Sequence, residues 1–332
     1  MEVARTVGVR PGELVAGKYR IDRVLGEGGM GVVVAATHVQ LEQPVAIKLI
    51  RPEAMAIPEV LSRFEREARA AVRLKSEHVA RVLDVGRLAD GAPYIVMEYL
   101  EGQDLSSVLA RQGALAVARA CDLVIQACDA IAEAHALGIV HRDLKPANLF
   151  LATTSHGQQI VKVLDFGISK SGAGVADPSM TRTQAVMGSP GYMSPEQMRS
   201  AKNVDGRTDV WSLGVILYEL VTGRQPFQAD TFTALCLKIA MDPLPALPPL
   251  PAPLPAGFEP VLRRALEKDP AQRFASAVEL AAALAPFAST EGRERAARLV
   301  ALIAVAGSGG FAVPAAPSAP TISTLDAAAG QA

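Results

Sequence analysis

Short apolar runs in the first part of the chain predict a sheet. Residues 21–25 and 32–35 are rich in β-branched side chains, which favour strands, and a third apolar run covers residues 45–48. A stretch rich in Glu and Arg at about 58–74 then predicts a charged helix. Further along the chain, an apolar helix is predicted to end near Leu137.

A glycine-rich segment, residues 26–31, separates the first two predicted strands. The usual alternative for a Gly-x-Gly-x-x-Gly pattern is a dinucleotide-binding turn, which leads from a strand into a helix rather than into a second strand. Glycine lets the backbone approach phosphate oxygens closely and take positive φ without a side-chain clash. A glycine hairpin between two strands therefore predicts a flap over phosphates.

The most specific chemistry lies in the run His141-Arg142-Asp143-Leu144-Lys145-Pro146-Ala147-Asn148. An acid, a lysine and an amide at these spacings suit phosphoryl transfer. Asp143 would accept the proton of a substrate hydroxyl, and Asn148 would hold a metal ion. A His-Arg-Asp triplet alone is common by chance, as a polar turn after the apolar helix. The complete run is much harder to explain in that way.

Two charged residues end predicted strands. Lys48 would meet the α- and β-phosphates of a nucleotide as a point charge, or else be a solvated lysine. A buried lysine needs a carboxylate partner to stay charged, and the charged helix offers Glu67 and Glu65, of which Glu67 is preferred. Asp165, which follows an apolar strand at 161–164, would bind Mg²⁺ through a hard oxygen donor, or else open an ordinary loop.

Composition narrows the functional classes. The chain has 332 residues, and 50% of them are hydrophobic, which is enough for a sizeable core. Its formal net charge of -1 gives no electrostatic argument for nucleic acid as a partner. Among the 3 cysteines, Cys121 and Cys128 share an apparent helix, which favours packing over disulfide or metal chemistry. Because the chain opens without an apolar signal-peptide core, we expect a reducing cytoplasmic location for the catalytic part.

These motifs, together with Val45-Ala46-Ile47-Lys48 and Asp165-Phe166-Gly167, resemble those of bacterial Ser/Thr protein kinases of the eukaryotic-like, or Hanks, type. The resemblance extends from about Tyr19 to about Phe287. It implies an α+β, bilobal protein-kinase-like fold, in which a small, mainly β N-lobe of five strands and one helix covers a larger, mainly α C-lobe, with ATP between them. The implied limits are a flexible lead at 1–18 and a kinase domain at 19–287, with the N-lobe at about 19–97 and the C-lobe at about 101–287.

The same resemblance assigns roles around ATP. The context Arg66-Glu67-Ala68 favours Glu67 over Glu65 as the partner of Lys48, and Lys145 would meet the γ-phosphate, as in Ser/Thr rather than tyrosine kinases. Met97 would control a back pocket, while backbone groups of Glu98 and Leu100 would bond the adenine edge. The implied nucleotide-binding residues are Leu25, Gly26, Glu27, Gly28, Gly31, Val33, Ala46, Lys48, Met97, Glu98, Leu100, Phe150 and Asp165, with Val33 and Ala46 above the adenine and Phe150 below it.

The resemblance also covers the large lobe. The segment 188–196 is similar to the substrate-docking segment of protein kinases, which small-molecule kinases of similar fold generally lack. Glu196 and Arg273 match a structural salt bridge, and Asp209 matches a buried acid that braces the catalytic loop.

Regulation is predicted from charge. Arg142 lies beside the catalytic Asp143, and a buried guanidinium would attract a phosphate from the segment 168–187. We therefore expect Thr181 and Thr183 to be autophosphorylation sites that order this segment, with a second copy of the chain as partner. The alternative is that both are ordinary loop threonines.

The end of the chain carries no charge from Leu299 to Leu325, after a basic stretch at 288–298. A membrane helix needs roughly 20 mostly apolar residues, and arginines on its cytoplasmic flank would orient it with the kinase inside. We therefore expect a juxtamembrane linker at 288–298, a single inner-membrane span at 299–316 and a low-complexity tail at 317–332. A disordered tail is the rival, because glycine and proline dilute the apolar run.

The expected function is transfer of the ATP γ-phosphoryl group to Ser or Thr hydroxyls of proteins in bacterial signalling, with Mg²⁺, or alternatively Mn²⁺, as the metal. A catalytically idle pseudokinase scaffold and a small-molecule phosphotransferase are the alternatives. The joint presence of Lys48, Glu67, Asp143, Asn148 and Asp165 disfavours the first, and the docking segment disfavours the second.

Overall fold

Antiparallel strands build the N-terminal lobe of the computed structural model, which describes residues 10–28, 31–166, 190–200, 204–248, 250 and 253–308. The strands are β1 (Leu14–Val15), β2 (Tyr19–Glu27), β3 (Gly31–His38), β4 (Gln43–Ile50), β5 (Val82–Arg87) and β6 (Pro93–Glu98). Within the described residues they form one sheet in the order β1-β2-β3-β4-β6-β5, and every neighbouring pair is antiparallel.

Alternation along the strands separates the core face of this sheet from the site face. Val32 and Val34 on β3, and Ile47 on β4, are buried in the core of the lobe. Because successive strand residues point to opposite faces, the intervening Val33 and Lys48 share the other face, where they lie opposite each other in the register. The β pattern of the sequence therefore places Lys48 on the surface that faces the large lobe.

The N-lobe differs in two details from the five strands and one helix implied by the resemblance. Strand β1 pairs with β2, and its Val15 is buried, so this part of the predicted flexible lead at 1–18 belongs to the lobe. A short helix, α1 (Pro52–Met55), precedes α2 (Pro58–Arg73), and both begin with proline at the first helical position, where no N–H donor is needed.

The C-lobe packs helices against a second, small sheet. Its strands are β7 (Gly102–Asp104), β8 (Leu149–Thr153) and β9 (Gln159–Val163), and its helices are α3 (Leu105–Gln112), α4 (Val117–Ala136), α5 (Pro195–Arg199), α6 (Arg207–Thr222), α7 (Phe232–Met241), α8 (Phe258–Ala265), α9 (Ala277–Leu284) and α10 (Thr290–Ser308). Helices α4 and α6 are buried along most of their length, as expected for helices with apolar residues on several faces. Cys121 and Cys128 are buried on α4 as free thiols.

The proline-rich stretch between α7 and α8 is an irregular connection, in which Leu244, Leu247 and Leu250 pack against the large core. Extended polyproline geometry has three residues per turn, so leucines at this spacing share one side of the chain. The stretch is therefore a loop fastened to the C-lobe by its leucines.

The end of the described chain differs from the predicted juxtamembrane linker and span. Residues 290–308 form the single helix α10, and Ala296 and Leu299 are buried in the core of the C-lobe. The predicted start of the span at Leu299 is therefore wrong, because this side chain packs against protein. Among the described residues, no helix combines the length and the hydropathy that crossing a membrane requires. Residues 309–316 lie outside the described part.

A buried ion pair fastens α5 to the far end of the C-lobe. The guanidinium of Arg273 donates to both carboxylate oxygens of Glu196, at 2.6 and 2.8 Å, and to the carbonyls of Glu267, Arg207 and Lys268. All five N–H donors of this buried side chain therefore have acceptors. The contact has the geometry predicted from the sequence for Glu196 and Arg273.

Arg273→Ala should lower the free energy of unfolding by about 3–5 kcal/mol, because it leaves Glu196 and three carbonyls without their donor. Denaturant unfolding would measure this loss. Arg263→Ala is the matched control, since Arg263 and Glu259 form an exposed pair one helical turn apart, and should cost less than about 1 kcal/mol. Similar losses in the two variants would contradict this account of the buried pair.

Candidate active site

The ammonium group of Lys48 lies between two carboxylates from different elements. Its Nζ is 2.6 Å from Oε1 of Glu67 on α2 and 2.7 Å from Oδ1 of Asp165, two residues beyond β9. The structure thus brings together three predicted site residues that are far apart in sequence. Glu65, the competing partner, instead pairs with Arg87 on the half-exposed side of α2.

The proximity of one cation to two carboxyl groups sets the charge of this cluster. Burial raises the pKa of Glu67 to about 7, against the opposing charge of Lys48. Partial removal from water also acts to raise the pKa of Asp165, but the neighbouring Lys48 charge outweighs it and holds this pKa below its usual range. The two carboxylates therefore differ, and Asp165 is the one that stays ionised.

The segment 141–148, for which the sequence predicts a catalytic role and which is called here the catalytic loop, holds its acid, lysine and amide within hydrogen-bond distance of one another. Lys145 Nζ lies 3.1 Å from Oδ2 of Asp143, and the amide nitrogen of Asn148 donates to the backbone carbonyl of Asp143 at 2.8 Å. Asn148 belongs to a 3-10 turn, Pro146–Asn148, which leads into β8. The short turn explains how residues five positions apart meet.

Asp209, which is completely buried on α6, fixes the backbone of the catalytic loop. Its carboxylate accepts from the N–H groups of His141 and Arg142, both at 2.9 Å, and from the ring of His135. Burial acts to raise the pKa of Asp209, but these donors and nearby histidines lower it below its usual range. They also hold Arg142 at a φ of 65°, a left-handed conformation that is costly outside glycine.

Leu164 joins the catalytic loop to Asp165. Its N–H donates to the carbonyl of Asn148 at 2.9 Å, and its carbonyl accepts from Nε2 of His141 at 3.0 Å. The next residue, Asp165, has a φ of 49°, which turns the chain sharply, and Phe166 packs its ring on His141. Asp165 is thus positioned by backbone contacts with the same loop that carries Asp143.

A cavity of about 700 Å³ lies between the lobes at this cluster. Most of the predicted nucleotide-binding residues line it, namely Leu25, Gly26, Val33, Ala46, Met97, Glu98, Leu100, Phe150 and Asp165. Glu98 donates its N–H to the carbonyl of Arg81, so its own carbonyl is the group suited to an adenine edge. The small Ala68 and Ala71 extend the cavity behind Met97 towards α2.

The glycine-rich segment contributes differently from the prediction. Glu27, Gly28 and Gly31 are not among the residues that line the cavity, and Glu27 is paired with Arg51 at 2.9 Å. A Cβ atom on Gly31 would lie 2.1 Å from the carbonyl oxygen of Leu49, so glycine is required there for β3 to approach β4. Gly28 donates to the carbonyl of Gly31 across residues 29–30, which lie outside the described part.

Asn148 and Asp165 fit a hard divalent cation. The amide nitrogen of Asn148 is occupied by Asp143, so its carbonyl oxygen is the atom left for a metal ion. The carboxylate of Asp165 is ionised, and its side chain is 46% exposed towards the cavity. Carboxylate and amide oxygens are the donors that Mg²⁺ prefers, with substrate phosphates completing the coordination.

The start of α5 depends on Gln197, a residue whose role was not predicted. Ser194 caps α5 and forms a reciprocal capping box with Gln197, whose Nε2 also donates to the carbonyl of Arg142 at 2.9 Å. A Ser followed three residues later by Gln, with Pro between them, is a recognisable helix-start signal. Gln197 therefore connects α5 directly to the catalytic loop.

A second contact that was not predicted stabilises residues 97–100, the segment between the two lobes that is called here the hinge. Lys162 on β9 lies 2.7 Å from Glu98, whose carboxylate also accepts from the N–H of Arg81. These residues are distant in sequence, and no local motif marks them.

Two predicted regulatory residues, Thr181 and Thr183, lie outside the described part.

Comparison with known proteins places the chain in a family. The family model described as the protein kinase domain matches residues 19–283. The serine/threonine-protein kinase pkn3 of Myxococcus xanthus is 41% identical over 269 residues, which cover 80% of this chain and 49% of that protein. The serine/threonine-protein kinase PknB of Mycobacterium tuberculosis is 38% identical over 273 residues, covering 80% and 42%. The crystal structure of the Mycobacterium tuberculosis PknI kinase domain superposes with a TM-score of 0.62 at 29% identity, covering 84% of this chain and 100% of that one.

The chain therefore belongs to the protein kinase domain family. Its predicted likeness to bacterial Hanks-type Ser/Thr kinases is confirmed by these relatives, and the predicted bilobal α+β fold is confirmed by the solved structure. The chain spans about half the length, or less, of the curated relatives named here.

Glu67→Gln should stabilise the protein in alkaline solution. The raised pKa of Glu67 contributes stability that is present below about 4.5 and is lost as pH rises through about 7, because the buried group must then ionise. Glutamine never ionises, so the midpoint of thermal unfolding should rise relative to the parent when pH is increased from 5.5 to 8.5.

The same variant should lose about 100-fold in phosphotransfer rate, because Lys48 is no longer held by an anion on α2. Glu65→Gln, two residues away on the half-exposed side of the same helix, is the control and should leave the rate and the pH dependence of unfolding unchanged. If the unfolding midpoints of the parent and of Glu67→Gln changed with pH in parallel, Glu67 would be charged in the folded protein without a cost in stability. That result would contradict its raised pKa.

Proposed function

We propose that this chain is an ATP-dependent Ser/Thr protein kinase. One observation carries the proposal: Lys48 is held between Glu67 and Asp165 beside a cavity of nucleotide size, and backbone bonds through Leu164 tie Asp165 to the loop with Asp143. Family membership and the names of the curated relatives support the same conclusion.

The nucleotide would bind with its adenine between the two lobes. Val33 and Ala46 contribute the upper surface of the cavity and Phe150 the lower one, while the hinge backbone at Glu98 and Leu100 offers polar groups for the base edge. Lys48, fixed by its two carboxyl partners, would then bind the α- and β-phosphates as a point charge.

The chemical step transfers a phosphoryl group between oxygens. A bond forms between the substrate hydroxyl oxygen and the γ-phosphorus, while the bond from that phosphorus to the β-γ bridging oxygen breaks and ADP leaves. Asp143 accepts the hydroxyl proton, and Lys145, 3.1 Å from the same carboxylate, neutralises charge on the transferred group. Most of the rate acceleration would come from positioning and from charge neutralisation.

Asn148 and Asp165 would hold a divalent cation, for which we propose Mg²⁺, with Mn²⁺ as the alternative. Bound there, the cation would neutralise the phosphate oxygens of the nucleotide. The protein contributes by keeping Asp165 ionised and by turning the Asn148 amide with Asp143.

A protein acceptor is supported by the region after the catalytic loop. The turn at Pro190–Tyr192 packs against α6 and α7, helix α5 packs against α7, and Gln197 of α5 donates to the carbonyl of Arg142. Such a fixed surface beside Asp143 suits docking of an extended peptide that presents a Ser or Thr hydroxyl.

Asp143→Asn should reduce phosphoryl transfer about 100-fold or more, because it removes the proton acceptor while keeping the shape of the side chain. The measurement is transfer of labelled γ-phosphate from Mg²⁺-ATP to an unfolded acceptor protein, followed by identification of the phosphorylated amino acid. Asp230→Asn, an exposed residue just before α7, is the control and should match the parent.

Phosphate on Ser or Thr in the parent and in the control, but not in Asp143→Asn, is the expected result. ATP binding without transfer to any acceptor would favour the scaffold function instead. Transfer to small molecules alone would favour a small-molecule phosphotransferase.

We also propose that Thr181 and Thr183 are autophosphorylated by a second copy of the chain. Active parent mixed with the Asp143→Asn variant should place phosphate on these threonines of the inactive copy, as mapped by mass spectrometry. Replacing both by Ala should lower the rate on other acceptors, and an unchanged rate would contradict a regulatory role.

Membrane attachment of the tail is a separate proposal that rests on the uncharged run before Leu325. Any span has to begin beyond Leu299, which is buried in the C-lobe. Detergent-free fractionation of cells that produce the full chain tests it, and complete recovery in the soluble fraction would refute it.

A further inference from the structure

Helix α10 is anchored on the side of the C-lobe by specific contacts. Ser289, at its start, donates its N–H to Asp122 on α4 at 3.0 Å, and a Cβ atom on Gly292 would lie 2.1 Å from the same carboxylate. One turn and two turns further, Ala296 and Leu299 are buried in the large core. The spacing of these three residues defines one packed face of the helix.

Arg295 extends from α10 to the loop between α2 and β5, which comprises residues 74–81 and is called here the α2–β5 loop. Its Nη1 donates to Oε1 of Glu77 at 2.9 Å and to Nε2 of His78. The Arg295 side chain is only 14% exposed, and His78 is completely buried. The contact therefore joins two regions that are more than 200 residues apart in sequence.

Hydrogen bonding defines the state of His78. Its Nδ1 lies 2.9 Å from the carbonyl of Val161, which can only accept, so Nδ1 carries the proton. Nε2 is then the acceptor for the guanidinium of Arg295. The imidazole is a neutral bridge between α10 and strand β9, and each of its two nitrogens has a defined partner.

The α2–β5 loop also contacts β9 and α4 through its backbone. The carbonyl of His78 accepts from the N–H of Val163 at 2.7 Å, and the N–H of Ala80 donates to the carbonyl of Val163 at 3.1 Å. The N–H groups of Lys75 and Ser76 donate to Glu133 on α4. The loop is thus fastened along most of its length.

This loop is connected to both carboxylates of the Lys48 cluster, to Glu67 through the chain and to Asp165 through its hydrogen bonds with β9. Helix α2, which carries Glu67, ends at Arg73, immediately before the loop. Strand β9, which the loop is bonded to, ends at Val163, two residues before Asp165. A shift of the loop relative to β9 would therefore change the separation of Glu67 and Asp165 around Lys48.

We propose that α10 is a positioning element of the phosphotransfer site, in which Arg295 holds the α2–β5 loop in the register that lets Glu67 and Asp165 meet Lys48. The proposal deepens the kinase function proposed above and rests on it. It assigns a role to the basic stretch before the uncharged tail, and it makes release of α10 a means of lowering activity.

Arg295→Ala tests the proposal in the full-length chain. It should lower kcat about tenfold, as expected for a residue that modulates coupling without contacting a ligand, and leave the KM for a protein acceptor nearly unchanged. Hydrogen exchange of backbone amides should speed up in α2 and in residues 161–165, while exchange in α6 and α8 stays as in the parent.

Arg298→Ala is the matched control, because Arg298 lies three residues further on α10, is 61% exposed and faces only Glu294 among its charged contacts described here. It should leave kcat and exchange unchanged. Arg295→Lys should restore part of kcat, since it keeps the charge near Glu77 but cannot donate as a planar fork. Gly292→Val, whose side chain would displace the Asp122 carboxylate from the N–H of Ser289 at the start of α10, should reproduce the effect of Arg295→Ala without altering Arg295 itself.

Equal kcat and equal α2 exchange in Arg295→Ala and Arg298→Ala would overturn the proposal. So would a uniform rise in exchange across the C-lobe, which would mean that Arg295 supports overall stability rather than the site. Failure of the parent to transfer phosphate would reject the proposed function, while the exchange comparison would still report whether α10 holds α2.

Discussion

The architecture of the site depends on placing one ammonium group where two carboxylates from separate elements can reach it. Lys48 comes from a strand of the small sheet, Glu67 from α2 and Asp165 from the end of β9. An ion removed from water is costly unless its partners are well placed, so the cluster forms only when these three elements are in register. The two ion pairs of Lys48 therefore indicate that the three elements are correctly positioned, rather than being a source of stability.

In the large lobe, a buried carboxylate, that of Asp209, likewise joins separate elements. Asp209 has no exposed surface, and it accepts from two consecutive backbone N–H groups of the catalytic loop. Those bonds compensate for the left-handed backbone at Arg142, and from there Gln197 extends the network to α5. The loop with Asp143 is consequently held by α6 through Asp209, by α5 through Gln197, and by Leu164.

Residues inside local motifs could be predicted from the sequence, whereas contacts between distant surfaces could not. Asp143, Lys145 and Asn148 lie within eight positions, so their joint chemistry is visible in one window. Arg295 and His78 are 217 positions apart, so no short stretch of sequence reveals their contact. The charged flank of an uncharged run suggested a membrane helix, although Gly292, Ala296 and Leu299 share the spacing of one helix face, which is the signal that α10 packs on the domain.

Helix α2, together with Leu74 that follows it, packs against apolar residues of both lobes, but its two ends are held to different extents. Ala70 and Leu74 pack in the large core with the C-lobe helices, whereas Phe64 and Ala68 pack with Ile50 and other apolar residues of the N-lobe. At the other end the helix begins after Ile57, whose side chain offers no acceptor for the first N–H groups. Glu67 lies between the fixed end and the weakly capped end. Movement of the sheet would carry Lys48 with it while the end of α2 near the α2–β5 loop stays with the C-lobe, so the pair between them depends on how the two lobes are arranged.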